Sequence, residues 1–143
     1  MERNLLEECQ EIVKENPYAA KIGIELLEAR EGYVSAKVDV KEEFQNIYGD
    51  LHGGFLYTIA DNVAGIAACV YGYYVTTING SIQYLRAGRN TKTVFCKAKA
   101  VKAGKTITVV QAELTDEKGL LLNTAEFTYF NLKKKIGRQE EKA

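Results

Sequence analysis

Neither sign of charge is in excess in this sequence: 19 Lys and Arg stand against 19 Asp and Glu. Proteins that hold duplex nucleic acid usually carry a basic surplus, so the balance argues against nucleic acid as the main partner. Cysteine is scarce and odd in number, with Cys9, Cys69 and Cys96 far apart along the chain. That spacing fits neither a disulfide framework nor a zinc site, and a reducing cytoplasm is the natural setting. No metal and no cofactor are expected. Proline occurs once, at Pro17, so turns have to be made with glycine, which occurs 12 times. The opening "MERNLLEECQ" is charged from its second residue, and no secretory leader is expected. Repeats, low-complexity tracts and linkers are absent too. One domain over residues 1–143 is expected, with a core over about 20–132 and a charged tail over 133–143.

What is present is one long apolar run, residues 53–72, which has the length of a membrane span. Asp61, Gly65, Gly72 and the polar alternating segments on both sides argue for a buried helix instead, with no membrane partner. Ahead of it, residues 3–16 place Leu5, Leu6, Cys9, Ile12 and Val13 on one helical stripe, and Pro17 ends that helix. Ile22, Ile24 and Leu26 alternate, then Val34, Ala36, Val38 and Val40, with Glu31-Gly32 between them. This reads as an antiparallel hairpin with one face buried. Residues 41–52 form a mostly polar loop with turn residues Gly49 and Asp50. After the apolar run come four more strand-like segments, parted by Gly88, Gly104 and Gly119. Strands buried on one face must cover something apolar, and the 54–71 helix is the one element apolar on nearly all sides. The expected architecture is α+β: a curved antiparallel sheet of five or six strands wrapped around a long central helix, with an additional N-terminal helix.

The segment "NIYGDLHGGFLYTIADN", residues 46–62, carries the chemistry. The first N–H groups of a helix have no acceptor within it and carry the positive end of its dipole. Gly53 and Gly54, placed there, would let a carbonyl oxygen or oxyanion approach. The alternative is that they only permit close packing. Asp61 is a carboxylate in an apolar helix, with no cation at helical contact spacing. It is either a functional acid or a structural group bonded to Thr58 or to a partner chain. Gly54 and Asp61 share a helix face but lie ~10 Å apart along the axis. They cannot touch one carbonyl group in the same subunit. Two such helices running antiparallel across a twofold axis would bring them together, which predicts a homodimer with shared active sites.

The pattern Asn46, then His52-Gly53-Gly54, then Asp61 resembles the hotdog-fold thioesterases, in particular the PaaI-like acyl-CoA thioesterase branch. "AVKAGKTITVVQAELTDEKGLLLNTAEFTY" is similar to that family's closing strands, and the resemblance covers roughly residues 20–132. It implies hydrolysis of a small aromatic or medium-chain acyl-CoA to free acid and CoA. The Gly53 N–H would polarise the thioester carbonyl, and Asn46 would hold the carbonyl or the attacking water. Asp61 of the opposite subunit would be the general base or the nucleophile. Thr77 is the best match for the residue that orients the water, with Thr76 still open. His52 mainly shapes the turn in that family, and as the only histidine it is also carried as a catalytic candidate. Gly54, Arg86 and the Gly104-Lys105-Thr106 turn would contact CoA, with Arg89, Lys92 and Lys102 as further cations. One departure is Ala87, where the family often has proline after its arginine. The family also implies dimers assembling to a homotetramer.

Two other readings remain. A non-catalytic acyl-CoA-binding hotdog protein, a sensor or partner subunit, would keep the pocket without turnover. A hotdog dehydratase would need a catalytic His paired with an acid, nominally His52 and Asp61. A Cys69–His52 nucleophile pair is excluded within one chain, because the helix holds them roughly 25 Å apart.

Overall fold

The computed structural model describes residues 4–137. Helix α1, Leu5–Glu15, starts where the Asn4 side chain accepts from the Glu7 N–H at 3.1 Å. It buries Cys9 and Val13, while Leu6 and Ile12 pack against the core. The strand expected to begin near Ile22 begins later, because Pro17–Ile22 forms a second short helix, α2. Asn16 caps it through the Ala19 N–H, Pro17 sits at its first turn, and Gly23 closes it in a left-handed conformation at φ 85°. Ile22 is therefore buried on a helix face, and its alternation with Ile24 is coincidental.

Strands β1 (Glu25–Arg30) and β2 (Tyr33–Asp39) form the expected hairpin, turning at residues 31–32. The apolar run becomes α3, Gly53–Cys69, followed by β3 (Tyr73–Tyr84), β4 (Thr93–Ala103), β5 (Ile107–Thr115) and β6 (Leu121–Lys135). All six strands join one antiparallel sheet in the order β1-β2-β4-β5-β6-β3. Its inner face presents Val34, Val38, Val94, Val110, Leu114 and Phe127, all 0% exposed, toward α3. From α3 come Ile59, Ala60, Val63, Ala64 and Ala67, also 0% exposed, and these small side chains let helix and sheet approach closely. This is the hotdog fold. Among the described residues no helix is long and apolar enough to cross a membrane.

The charged tail expected from residue 133 starts later, since β6 runs to Lys135, which pairs with Tyr73; residues 138–143 lie outside the described residues.

Strand β3 differs from its neighbours. It is an edge strand with no buried residue, and Ile78 on it is 53% exposed. A long unpaired edge of this kind is a ready template for another chain. Its register against β6 shifts between Thr77, opposite Tyr129, and Asn79, opposite Thr128. Two residues of β3 thus answer one of β6, and the phase of the strand flips at Ile78. Thr77 and Gly80, an odd number of positions apart, consequently both face α3.

Candidate active site

Asn46 folds the loop ahead of α3. Its side-chain oxygen accepts from the Tyr48 N–H at 2.9 Å and the Asp50 N–H at 3.1 Å. With the oxygen committed, the amide nitrogen is left to donate. Asp50 anchors the same loop through two bonds from Arg89, at 3.0 and 3.2 Å, and this guanidinium holds the Asp50 carboxyl below its ordinary range. Arg89 therefore clamps the loop while its side chain stays largely exposed.

His52 is the N-cap of α3. Its Nδ1 accepts from the Gly54 N–H at 2.8 Å. The bond is a local one that shapes the turn, and it removes Gly54 from the available donors. The Gly53 N–H has no acceptor among the described residues, so at the helix start it is the donor left open. Close packing is real here as well: a Cβ at Gly53 would stand 3.3 Å from the Tyr84 ring, whose hydroxyl donates to the Gly53 carbonyl at 2.7 Å. Asn46, Gly53, Arg86 and Ala87 line one cleft of about 340 Å³.

Asp61 stands two turns further along α3, half-buried, in a different cleft of about 410 Å³. Its Oδ1 accepts from the Thr77 hydroxyl at 2.9 Å and from the Tyr129 hydroxyl at 2.9 Å. The same Tyr129 hydroxyl lies 2.7 Å from the Asp61 backbone carbonyl. No donor among the described residues reaches Oδ2, so one oxygen is fixed and the other is open. Thr58 is not a partner of Asp61; its hydroxyl donates to the Gly54 carbonyl. Tyr129 is 1% exposed, and burial first, then the charge of Asp61, pushes its hydroxyl well above the usual phenol range. It is a permanent donor. The bulge settles the choice between threonines: Thr77 faces the helix, whereas Thr76 pairs with the outward-facing, 39%-exposed Phe130.

Gly53 and Asp61 are eight residues apart on α3, about 12 Å along its axis. The two clefts are therefore separate in one chain. Arg86 follows the far end of β3, while the Gly104-Lys105-Thr106 turn abuts the other end, where the Asn131 N–H donates to the Thr106 carbonyl at 2.8 Å. Roughly 30 Å of strand separates Arg86 from that turn. His52 and Asp61 do not pair, which deprives the dehydratase reading of its acid–base couple within one chain. Burial pushes the Cys69 thiol up to about 12, so it offers no thiolate. Among the described residues no three His, Cys, Asp or Glu side chains gather to hold a metal.

Comparison with known proteins decides the family. The sequence profile of the Thioesterase superfamily matches residues 48–123, from the Asn46 loop to the start of β6. The chain belongs to the thioesterase superfamily. Acyl-coenzyme A thioesterase 13 from Homo sapiens is 28% identical over 120 residues, covering 82% of this chain and 86% of that protein. A hypothetical thioesterase from Streptococcus pneumoniae, solved with coenzyme A, superposes with a TM-score of 0.80 at 28% identity, over 86% of this chain and 98% of that one. The same pneumococcal protein has been solved with an aspartate and, separately, a threonine sixteen positions later changed to alanine. PaaI from E. coli shares the fold, with a TM-score of 0.84 over 92% of this chain and 99% of that one at 20% identity.

For this thioesterase-superfamily member, sequence reasoning missed Tyr129 as a partner of Asp61 and the bond from Tyr84 to Gly53. A signal for Tyr129 exists: β6 alternates Ala125, Phe127 and Tyr129 inward, and a phenol at a core position needs an acceptor. Tyr84 carries no comparable signal, because its hydroxyl meets a backbone carbonyl that only the fold brings near.

Proposed function

We propose that the protein is an acyl-CoA thioesterase whose active site is completed by a second copy of the chain. The observation that carries this reading is Asp61, held by one carboxylate oxygen and open at the other, two turns from the unpaired Gly53 N–H. Neither group reaches the other's cleft alone. The unpartnered β3 edge and the half-exposed stripe of α3 at Tyr57, Thr58, Asp61, Asn62 and Gly65 support a twofold contact that sets the helices antiparallel. That contact would also bring Arg86 of one chain and the Lys105 turn of the other to the same CoA.

In this site the Gly53 N–H and the Asn46 amide hold the thioester carbonyl and meet the charge that develops on its oxygen. Thr77 and Tyr129 orient Asp61 of the second copy, whose Oδ2 takes a proton from water. The hydroxide adds to the carbonyl carbon, and the tetrahedral centre collapses with loss of the CoA thiolate, which picks up the proton. The products are the acid and CoA, and no metal or cofactor takes part. Asp61 and Thr77 are separated by sixteen positions, the same interval as the pair changed in the pneumococcal thioesterase.

The test is thiol release from acetyl-, octanoyl- and phenylacetyl-CoA by wild type and Asp61→Asn. Expected is turnover of at least one ester and a loss of about a hundredfold or more in the variant with the dimer intact. Binding of all three esters with no turnover by wild type would replace this reading with a non-catalytic acyl-CoA-binding protein. A single turnover in ¹⁸O-water should label the product acid and not Asp61; label in Asp61 would make it the nucleophile.

A further inference from the structure

We propose that Tyr84 is a positioning residue for the carbonyl-binding N–H of Gly53, and that the two glycines starting α3 make room for clamping rings rather than for the ligand. The proposal rests on the thioesterase reading above and gives Tyr84 a part in it. Gly53 joins two peptide units, and three of their four polar ends are held. The His52 carbonyl accepts from the Phe55 and Leu56 N–H groups at 3.1 and 3.2 Å. The Gly53 carbonyl accepts from the Tyr84 hydroxyl at 2.7 Å, and the Gly54 N–H donates to His52 Nδ1 at 2.8 Å. The fourth end is the Gly53 N–H, the donor left open.

Glycine has the widest backbone freedom of any residue, so an open donor at Gly53 swings unless its neighbours are fixed. The unit between Gly53 and Gly54 is fastened at both ends, by Tyr84 on its carbonyl and by His52 on its N–H. Hydrogen bonds in series through one peptide group polarise and strengthen one another. Burial, then the neighbouring Tyr57, pushes the Tyr84 hydroxyl above the usual phenol range, so it stays a donor. Sterics point the same way. A Cβ on Gly53 would stand 3.3 Å from the Tyr84 ring and hydroxyl, and one on Gly54 would stand 3.2 Å from His52 Nδ1. The space that each glycine opens is thus filled by a ring of the protein itself. The backbone behind Tyr84 is firm: Tyr84 pairs with Asn123 on β6, and the Leu85 and Arg86 N–H groups donate to the Leu122 carbonyl at 2.9 and 3.2 Å. Tyr84 lines the same cleft as Asn46 and Gly53, but its hydroxyl is committed to the Gly53 carbonyl and acts on the substrate through Gly53.

The test uses whichever of acetyl-, octanoyl- and phenylacetyl-CoA the wild type hydrolyses fastest. Tyr84→Phe keeps the ring and removes the hydroxyl. Outright loss of an oxyanion donor lowers kcat by about 10²–10³, so a loosened one should lower it by roughly tenfold, with KM within about twofold. In ¹⁵N relaxation of the same variant, the order parameter of the Gly53 amide should fall from about 0.85 to below about 0.6. Gly53→Ala separates the ring from the ligand as the reason for the glycine. It should lower kcat by about tenfold in the protein with Tyr84, but by less than about threefold when added to Tyr84→Leu, which frees the space. An equal cost in both backgrounds would assign the glycine to the ligand and overturn the clamp. Tyr84→Phe that leaves either kcat or the Gly53 amide unchanged would overturn it as well. A Gly53 amide loosened by Tyr84→Phe, in a protein that hydrolyses no acyl-CoA, would keep the clamp and remove the thioesterase reading.

Discussion

A shared site makes a quantitative demand on mixed subunits. The proposed donor half and carboxylate half lie about 12 Å apart on one helix, and a hydrogen bond spans only ~3 Å, so on the proposed reading no single chain carries a complete site. Each half can be disabled alone. Asn46→Asp keeps an oxygen for the Tyr48 and Asp50 N–H groups, so the loop stays folded. It removes the amide donor and sets a negative charge beside the developing oxyanion. Removal of one such donor lowers kcat by about 10²–10³. Asp61→Asn keeps an acceptor for Thr77 and Tyr129 but cannot take a proton, with a similar loss. Mixed one to one and exchanged, the two variants form heterodimers as half of the population, and each heterodimer has one intact site and one doubly altered site. Expected activity is about a quarter of wild type, far above either parent. The assay is thiol release before and after unfolding and refolding the mixture. Activity that stays at the parental level, with heterodimer confirmed by mass spectrometry of differently tagged chains, would refute the shared site.

Three further outcomes follow from the hydrogen bonds. Tyr129→Phe removes the second donor to Asp61 Oδ1 from a buried position, and should lower stability by about 1–2 kcal/mol in urea titration and kcat by roughly tenfold. His52→Ala should cost about 1 kcal/mol as a lost N-cap, while His52→Asn restores both stability and kcat; a catalytic base would not be rescued in this way. Arg89→Gln should lower the urea midpoint at neutral pH. Because the Asp50 carboxyl is depressed in the folded protein, its contribution is complete above its ordinary value of 3.8 and is lost as pH falls through the folded value. Wild type and Arg89→Gln should therefore converge in acid; a gap that persists at pH 2 would contradict the clamp.

Much of the fold is legible in the residues because burial imposes periodicity. Val34, Ala36 and Val38 alternate since one face of β2 meets α3, and α3 is apolar nearly all round since the sheet wraps it. Short-range chemistry was harder to read where two periods overlap. Ile22 and Ile24 fit a strand's alternation, yet the Asn16 cap and Gly23 fix a helix over Pro17–Ile22. Asp61 was visible because a carboxylate in an apolar helix needs a partner or a function, and Gly53 because it stands at a helix start, whereas Asn46 was legible only through the family resemblance. Arg89 is the exposed cation expected, but its pairing with Asp50 was not legible, because that partner lies thirty-nine positions away.

The sequence by itself determined the sheet-and-helix architecture, the glycines at the start of α3 and the acid two turns along it, since all three depend on local spacing. The tertiary structure alone decided which threonine meets that acid, because the phase of β3 is set by a bulge against β6. It alone supplied Tyr129, sixty-eight positions from Asp61, and showed which oxygen of the carboxylate stays open. Side chains from distant strands meet only after the sheet has closed over the helix, and no spacing along the chain encodes that meeting.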